Sequence, residues 1–475
     1  MNLITSPWIP VRMLDGTSSL LSLNDIFTQS SRIADLSLAP HERISVMRLL
    51  ICITQAAIGF PEHEEAWDGF GENLETDVPS YLEKWYDSFE MFGDGKRFLQ
   101  THLAEDEKSY GIDQMIFTLS SGNTPTILDH RSESSGIPTE KIPLILLSYQ
   151  NFFIGGSMAS KIKGNGPSLK ALHTFIQGPN IKEIILKNCI DEESCTLPPG
   201  EPIWETPSNE ENATLTYLGR LIPKPCKIWI YLKDQTIRLD QGFKYPEFNE
   251  IAPESSVTTT IWLNKGKEEP RLLRANPNRG IWRYLHALTI LKKSKNSFSE
   301  APLIIQSHSK QFDKTDNMPI WCGELVKAKD AKILDAVESS FHLPHSLFKE
   351  TGRGLYDDGV QHADFQSKRL SDAVKAYGKS RFIDKPDTTL ATRHYWHSLD
   401  QQSEKLLEVI QHQDLLNKDK FGVSSDPWSK AVYHAARNAY EASCPRNTPR
   451  QIQAYAAGLG KLFPRKKKQT SKPSK

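Results

Sequence analysis

Residues 141 to 182 of this chain contain five lysines and no carboxylate, and within them lie Gly155-Gly156-Ser157 and the loop Lys161-Ile162-Lys163-Gly164-Asn165-Gly166. Glycine lacks a Cβ, so bare backbone can approach a phosphate or a base edge, and the acid-free surround adds no repulsion. The same pattern also suits an ordinary helix with a flexible exit loop. Lys327-Ala328-Lys329-Asp330, read as a hairpin tip, is a second loop that combines lysine with a small residue. Backbone and short side chains can meet the degenerate minor groove of a duplex. The chemistry on offer is binding.

Catalysis would need paired acids, an activated nucleophile or a metal cluster. Asp129 and His130 are neighbours in sequence, so on a strand they would point to opposite faces. His394 and His397 could approach a metal from one helix face, although two surface histidines are the plainer reading. The chain has no His-Glu-x-x-His, no Walker loop and no Gly-x-Ser-x-Gly. Nor do its glycines form the dinucleotide-binding pattern after a strand. A non-enzymatic binding protein without a cofactor is expected.

These residues need a frame, and the length of 475 residues suggests two domains. No apolar run approaches the roughly 18 residues of a membrane span, and the N-terminus lacks a secretory pattern. The six cysteines are scattered without a Cys-x-x-Cys pair, so a reducing cytoplasm is expected. The net charge of zero hides an asymmetry, because nine basic and no acidic residues follow Glu441. Residues 465–475 read as a solvated basic end or a nucleic-acid arm.

Periodicity predicts a β meander over residues 1–30 and a buried helix from Pro40 to Gly59. A helix from about Ser80 would align Tyr81, Trp85 and Phe89. Gln114–Leu119 reads as a strand, Ile142–Phe153 as a helix with Pro143 in its first turn, and residues 185–212 as a surface loop anchored by Trp204. Strands are expected at Lys227–Leu232, Thr258–Leu263 and Leu303–Gln306, with a helix at Gly280–Leu291 and a turn-rich segment around Trp321-Cys322-Gly323. Four helices follow: Val360–Gly378 after a polar glycine-rich segment, one after Asp387, one capped by Asp426 with Pro427, and one from Asn447-Thr448-Pro449. The expected class is α+β, with a mixed domain over 1–344, an antiparallel four-helix bundle over 345–464 and a basic tail over 465–475.

The order of short motifs resembles the CasA-type large subunit of the type I-E CRISPR surveillance complex, Cascade. The resemblance rests on Met1-Asn-Leu-Ile4, Trp8-Ile-Pro-Val-Arg12, Phe98-Leu-Gln100, Asn123-Thr-Pro-Thr-Ile-Leu-Asp-His130 and Tyr149-Gln-Asn-Phe-Phe-Ile-Gly-Gly156. It continues through Pro202-Ile-Trp-Glu205, Gly280-Ile-Trp-Arg283, Gly323 with Ala331-Lys-Ile-Leu334, and Tyr395-Trp396. The resemblance implies a non-catalytic subunit that checks the protospacer-adjacent motif (PAM) on double-stranded DNA and helps open the duplex. It implies that the bundle contacts the small-subunit dimer and supports the target strands, and that the subunit recruits a helicase–nuclease.

By that resemblance Thr126, Ile127, Leu128 and Asp129 would dock on the complex near the 5′ end of the guide RNA. Gly155, Gly156 and Ser157 would enter the minor groove, with Lys161 and Lys163 beside them. Lys327, Lys329 and Asp330 would form the wedge hairpin, and Lys244, after Gly242-Phe243, would reach the groove. Only two glycines precede Ser157 where the family can carry three or more, and Lys and Asp stand in the hairpin where Asn or Gln is frequent. Leu239-Asp-Gln-Gly242 replaces the Cys-rich insertion of some relatives, so no zinc is expected. The alternative role is a structural subunit contacting protein and RNA without reading DNA.

Overall fold

The computed structural model describes residues 1–62, 64–104, 107–119, 136–156, 158, 162–195, 197–206, 211–243, 255–262, 271–276, 279–291, 300–309, 317–327, 333–413, 421 and 426–464. These residues fall into two compact units, within Met1–Ile281, Ala287–Lys314 and Met318–Phe341 for the first, and within Trp282–His286, Thr315–Asn317 and His342–Lys475 for the second.

The first unit mixes helices and small sheets. Strands β1 (Ile9–Met13), β2 (Ser18–Leu21) and β3 (Ile33–Leu36) pair antiparallel in the order β2-β1-β3. The meander is interrupted by α1 (Leu23–Thr28), because Ser22 and Asp25 form a reciprocal capping box that starts a helix at Leu23. Helix α2 (Pro40–Ile58) is almost wholly buried and stops at Gly59, whose φ of 82° suits glycine. Helix α3 (Leu74–Lys84) begins earlier than its aromatic spacing suggests and ends before Trp85. The aliphatic stripe Leu74, Val78 and Leu82 faces the core instead, and Phe89 lies in a following 3-10 turn.

Strand β4 (Ser109–Gly111) precedes a 3-10 turn at Ile112–Met115 where a strand was expected. Helix α4 (Ile142–Phe152) forms with Pro143 in its first turn, as the sequence implies. Then come β5 (His173–Ile176), α5 (Ile181–Lys187, capped by Asn180), α6 (Tyr217–Leu221), and the hairpin β6 (Cys226–Tyr231) with β7 (Thr236–Gln241). Helix α7 (Ser255–Thr258) shortens the strand expected there, leaving β8 (Ile261–Trp262) paired with β9 (Arg271–Leu272). Ile281–Thr289 is a 3-10 helix, and α8 (Leu303–Ser309) replaces the strand expected at Leu303–Gln306.

Around Trp321 the expected turns are instead the long strand β10 (Asn317–Lys327), which with β11 (Ile333–Pro344) and β5 forms the sheet β11-β10-β5. Gly323 is accommodated in β10 because the Trp321 ring fills its side; a Cβ there would stand 2.3 Å from that ring.

The second unit is helical. Helix α9 (Glu350–Ser380) takes in the glycine-rich segment expected to precede it. Gly352 and Gly359 act as contact points: a Cβ would meet Ser346 O at 2.0 Å and Leu406 Cδ1 at 2.4 Å. The single helix expected after Asp387 is two, α10 (Thr389–Asp400) and α11 (Glu404–Gln411). Helix α12 (Pro427–Ser443) begins at the cap read from sequence, Asp426, and α13 (Pro449–Leu462) begins within the expected Asn447-Thr448-Pro449 start, where Thr448 is the cap. Trp428 is fully buried, donates from Nε1 to Gly359 O at 2.9 Å and meets the Trp282 ring edge-on at 5.2 Å. Among the described residues, no helix is long and apolar enough to cross a membrane.

Buried imidazoles make the first unit sensitive to acid. Desolvation lowers His41 to about 4, His173 to about 3 and His308 to about 4. These folded values lie below the unfolded one, so the unfolded chain takes up protons first as the pH falls. The stability they contribute is present above pH 6.5 and is lost as the pH drops towards 4, by at most about 1.4 kcal/mol per pH unit for each group. Glu324, raised to about 8 by burial, opposes this over the same window, and Glu42 and Glu205, also raised by burial, oppose it towards the acid end. The urea midpoint of the first unit is therefore expected to fall between about pH 7 and pH 5. A flat profile would mean that the imidazoles titrate normally.

Candidate nucleic-acid interface

The glycine loop leaves the end of α4, so whatever fixes α4 also aims the loop. Every residue of α4 is buried, including the polar Ser148, Gln150 and Asn151 near its end. Gln150 Oε1 accepts from Cys226 N at 3.1 Å, while its Nε2 donates to Cys226 O at 2.8 Å and Leu99 O at 3.3 Å. One amide thus satisfies both backbone groups at the start of β6. Asn151 Nδ2 donates to Leu147 O at 2.9 Å, and its Oδ1 accepts from Ser168 Oγ at 3.0 Å. Ser168 N donates to Asn151 O, also at 3.0 Å.

Between these anchors residues 154–156 and 162–166 pair as a narrow ladder. Gly155 N donates to Gly164 O at 2.8 Å, Gly156 N to Ile162 O at 2.9 Å and Gly166 N to Phe153 O at 2.7 Å. Gly155 is required by contact: a Cβ there would lie 2.2 Å from Gly164 O and 2.8 Å from Gly164 N. Gly156 is required by conformation, with φ of 76°, and has nothing within 4 Å of its Cβ direction. Its outer side is exposed. The buried Ile162 side chain pins the return leg, while Lys163 projects into solvent.

Lys163 N donates to Gln241 Oε1 at 2.9 Å, which ties the loop to the last residue of β7. Gly242 follows directly, its N–H donating to Pro225 O at 2.8 Å. The glycine loop and the approach to Lys244 are therefore neighbours, although 78 positions separate Lys163 from Gln241 in the chain. The acid-free character of residues 141–182 does not extend to this neighbourhood, because half-buried Asp240 stands beside Gln241 and accepts its N–H at 2.8 Å.

After the loop the chain enters β5. His173 Nε2 donates to Ser168 O at 2.9 Å, which leaves Nδ1 to accept from Thr258 Oγ1 at 2.8 Å. Its lowered pKa keeps the ring neutral, and this pair of bonds suits that form. His173 faces Gly323 in the antiparallel pairing of β5 with β10. The end of β10 that finishes at Lys327 is thus the end of the sheet at which the glycine loop feeds into β5.

Of the residues singled out in the sequence, Gly155, Gly156, Lys163 and Lys327 are described. Thr126, Ile127, Leu128, Asp129, Ser157, Lys161, Lys244, Lys329, Asp330 and the 465–475 tail lie outside the described residues. His394 and His397 are both exposed on α10, and no group of three or more His, Cys, Asp or Glu side chains is arranged for a metal among the described residues. Gln150, Asn151, Ser168 and Gln241 hold the loop and were not anticipated. The available signal was the polar pair Gln150-Asn151 inside an apolar helix, since a buried amide must find partners.

The family model of CRISPR-associated protein Cse1 matches residues 2–439. A CRISPR-associated protein CasA/Cse1 from Thermus thermophilus is 23% identical, over 93% of this chain and 92% of its own. Among solved structures, a crystal structure of Thermus thermophilus CasA superposes with a TM-score of 0.75 at 18% identity, covering 97% of this chain and 98% of that one. Thermobifida fusca Cse1 gives 0.71 at 18% identity with 97% of each chain covered. A chain of a CRISPR RNA-guided surveillance complex gives 0.70 at 15% identity, covering 98% and 99%. At these identities the superpositions establish the fold.

Proposed function

The chain belongs to the Cse1 family of CRISPR-associated proteins, and from that premise we propose that it is the CasA-type large subunit of a type I-E Cascade complex. In this role it reads the PAM of double-stranded DNA, promotes opening of the duplex and recruits the helicase–nuclease. It works by binding, beside the other subunits and the guide RNA. The observation that carries the DNA-reading part is the loop at Gly155 and Gly156. Its two strands touch backbone to backbone, and Gly156 stands exposed at the outer side. Such a narrow, side-chain-free edge fits a minor groove, where it meets acceptor atoms and a strong negative potential. Lys163 adds a phosphate partner at the rim, and the Gln241 bond keeps the loop in register with the segment leading to Lys244.

Photo-crosslinking tests this reading. A photoreactive base placed in the PAM of a duplex bound by the assembled complex should crosslink within residues 155–163 or 327–330. Crosslinks confined to protein and guide RNA, with neither segment labelled, would leave the chain as a structural subunit that does not read DNA.

A further inference from the structure

Helix α9 ends in a way that works against the stability of the fold. Ile383 N donates to Gly378 O and Phe382 N to Lys379 O, both at 3.0 Å, the two reversed bonds of a Schellman cap. In that cap the residue after the C-cap adopts the left-handed conformation and is usually glycine. Here it is Phe382, at φ of 61°, with its side chain 86% exposed. A strained backbone and an unburied aromatic ring therefore coincide at one residue. The Arg450 guanidinium, 5.8 Å from the ring centroid, is its described aromatic-face contact.

The surroundings indicate what would cover the ring. Lys379, Arg381 and Lys385 flank Phe382 in the chain and are exposed. Arg446 comes from the link between α12 and α13, held to the end of α9 by Tyr377 Oη donating to Pro445 O at 2.6 Å, and Arg450 from the first turn of α13. Against these five cations stand Asp384 and Asp387, while Glu441 is taken up by Arg437 and Tyr455. An exposed ring among cations is the arrangement by which proteins hold unpaired nucleic acid, the base stacking on the ring and the phosphates meeting the cations. Ile383, the next residue in the chain, is also an exposed apolar side chain.

We propose that Phe382 is a stacking platform for an unpaired DNA strand, with Arg450, Arg446, Arg381 and Lys379 holding its phosphates. The choice of DNA rests on the duplex-opening role above, which supplies such a strand. The strain at Phe382 then has a use, because the left-handed cap points the ring outward where a glycine would present nothing.

The test uses the full chain and a short labelled oligothymidylate, which needs neither a PAM nor duplex opening, so its outcome is independent of how the PAM is read. Phe382→Gly should bind about tenfold more weakly than the parent, and Phe382→Trp should bind as the parent does. The difference between parent and Phe382→Gly should vanish on an abasic oligomer of the same length. In the same samples Phe382→Gly should raise the thermal midpoint, since glycine is unstrained in that position. Unchanged oligothymidylate affinity in Phe382→Gly overturns the proposal. So does a lowered midpoint, which would show the ring packing within the fold. Tighter parental binding to oligouridylate would assign the platform to RNA, and weakened subunit assembly with normal oligonucleotide binding would assign it to a protein partner. Either result overturns the assignment to DNA.

Discussion

Gly155→Ala is expected to weaken binding of the assembled complex to duplex target by about tenfold or more, and to leave binding to a target already unpaired across the PAM within about twofold. The added Cβ would lie 2.2 Å from Gly164 O and 2.8 Å from Gly164 N, and the nearest atoms belong to backbone, which cannot rotate away. The ladder at Gly155 and Gly164 would have to open, breaking the 2.8 Å bond between them and displacing the exposed Gly156 edge. Gly156→Ala provides the contrast. Nothing lies within 4 Å of its Cβ direction, so its cost inside the protein is the left-handed backbone, about 1 kcal/mol. Its methyl group would instead obstruct the groove directly. Electrophoretic mobility shifts with paired and pre-opened targets separate the two effects. Equal losses on both targets for Gly155→Ala would mean that the loop supports assembly and does not test the duplex.

Much of the frame was readable because single residues dictated it. Pro40, Pro143, Pro427 and Pro449 sit in first helical turns, and Asp426 and Thr448 cap where their side chains can reach the orphan N–H groups. The misreadings share a cause, which is tertiary packing overriding local signals. Gly352 and Gly359 look like helix breakers, yet they lie within α9 because Ser346 O and Leu406 need the space. Gly323 looks like a turn but lies in β10 beside the Trp321 ring. The Leu303–Gln306 run is too short for its period to separate strand from helix, and it folds as α8. At the candidate site, composition revealed the glycines but not their division of labour. That Gly155 answers to a contact and Gly156 to a dihedral depends on Gly164, which only the return leg of the loop brings close. The bond from Lys163 to Gln241 had no signal in the sequence at all, since a surface glutamine at a strand end is ordinary.

Gln150→Leu should be the more damaging change to stability, although it keeps the size and apolar setting of the side chain. Gln150 is fully buried and its amide makes three bonds to main chain, with Cys226 N, Cys226 O and Leu99 O. Leucine removes the partners and leaves those groups in an apolar interior, where each unsatisfied group costs about 1–3 kcal/mol. Cys226 is the first residue of β6 and pairs with Gln241, so it has little freedom to turn towards water. We expect a loss of about 3 kcal/mol in urea unfolding of the first unit, more than Gly155→Ala should produce, because that change acts on a partly exposed loop. The two variants should converge in function. Loosening the end of α4 frees both strands of the glycine ladder from the β6–β7 hairpin, so Gln150→Leu held below its unfolding temperature should also lose duplex affinity and keep affinity for the unpaired target. A stability loss below about 1 kcal/mol would show that the backbone of Cys226 finds other partners, and that Gln150 does not hold the loop's base in place.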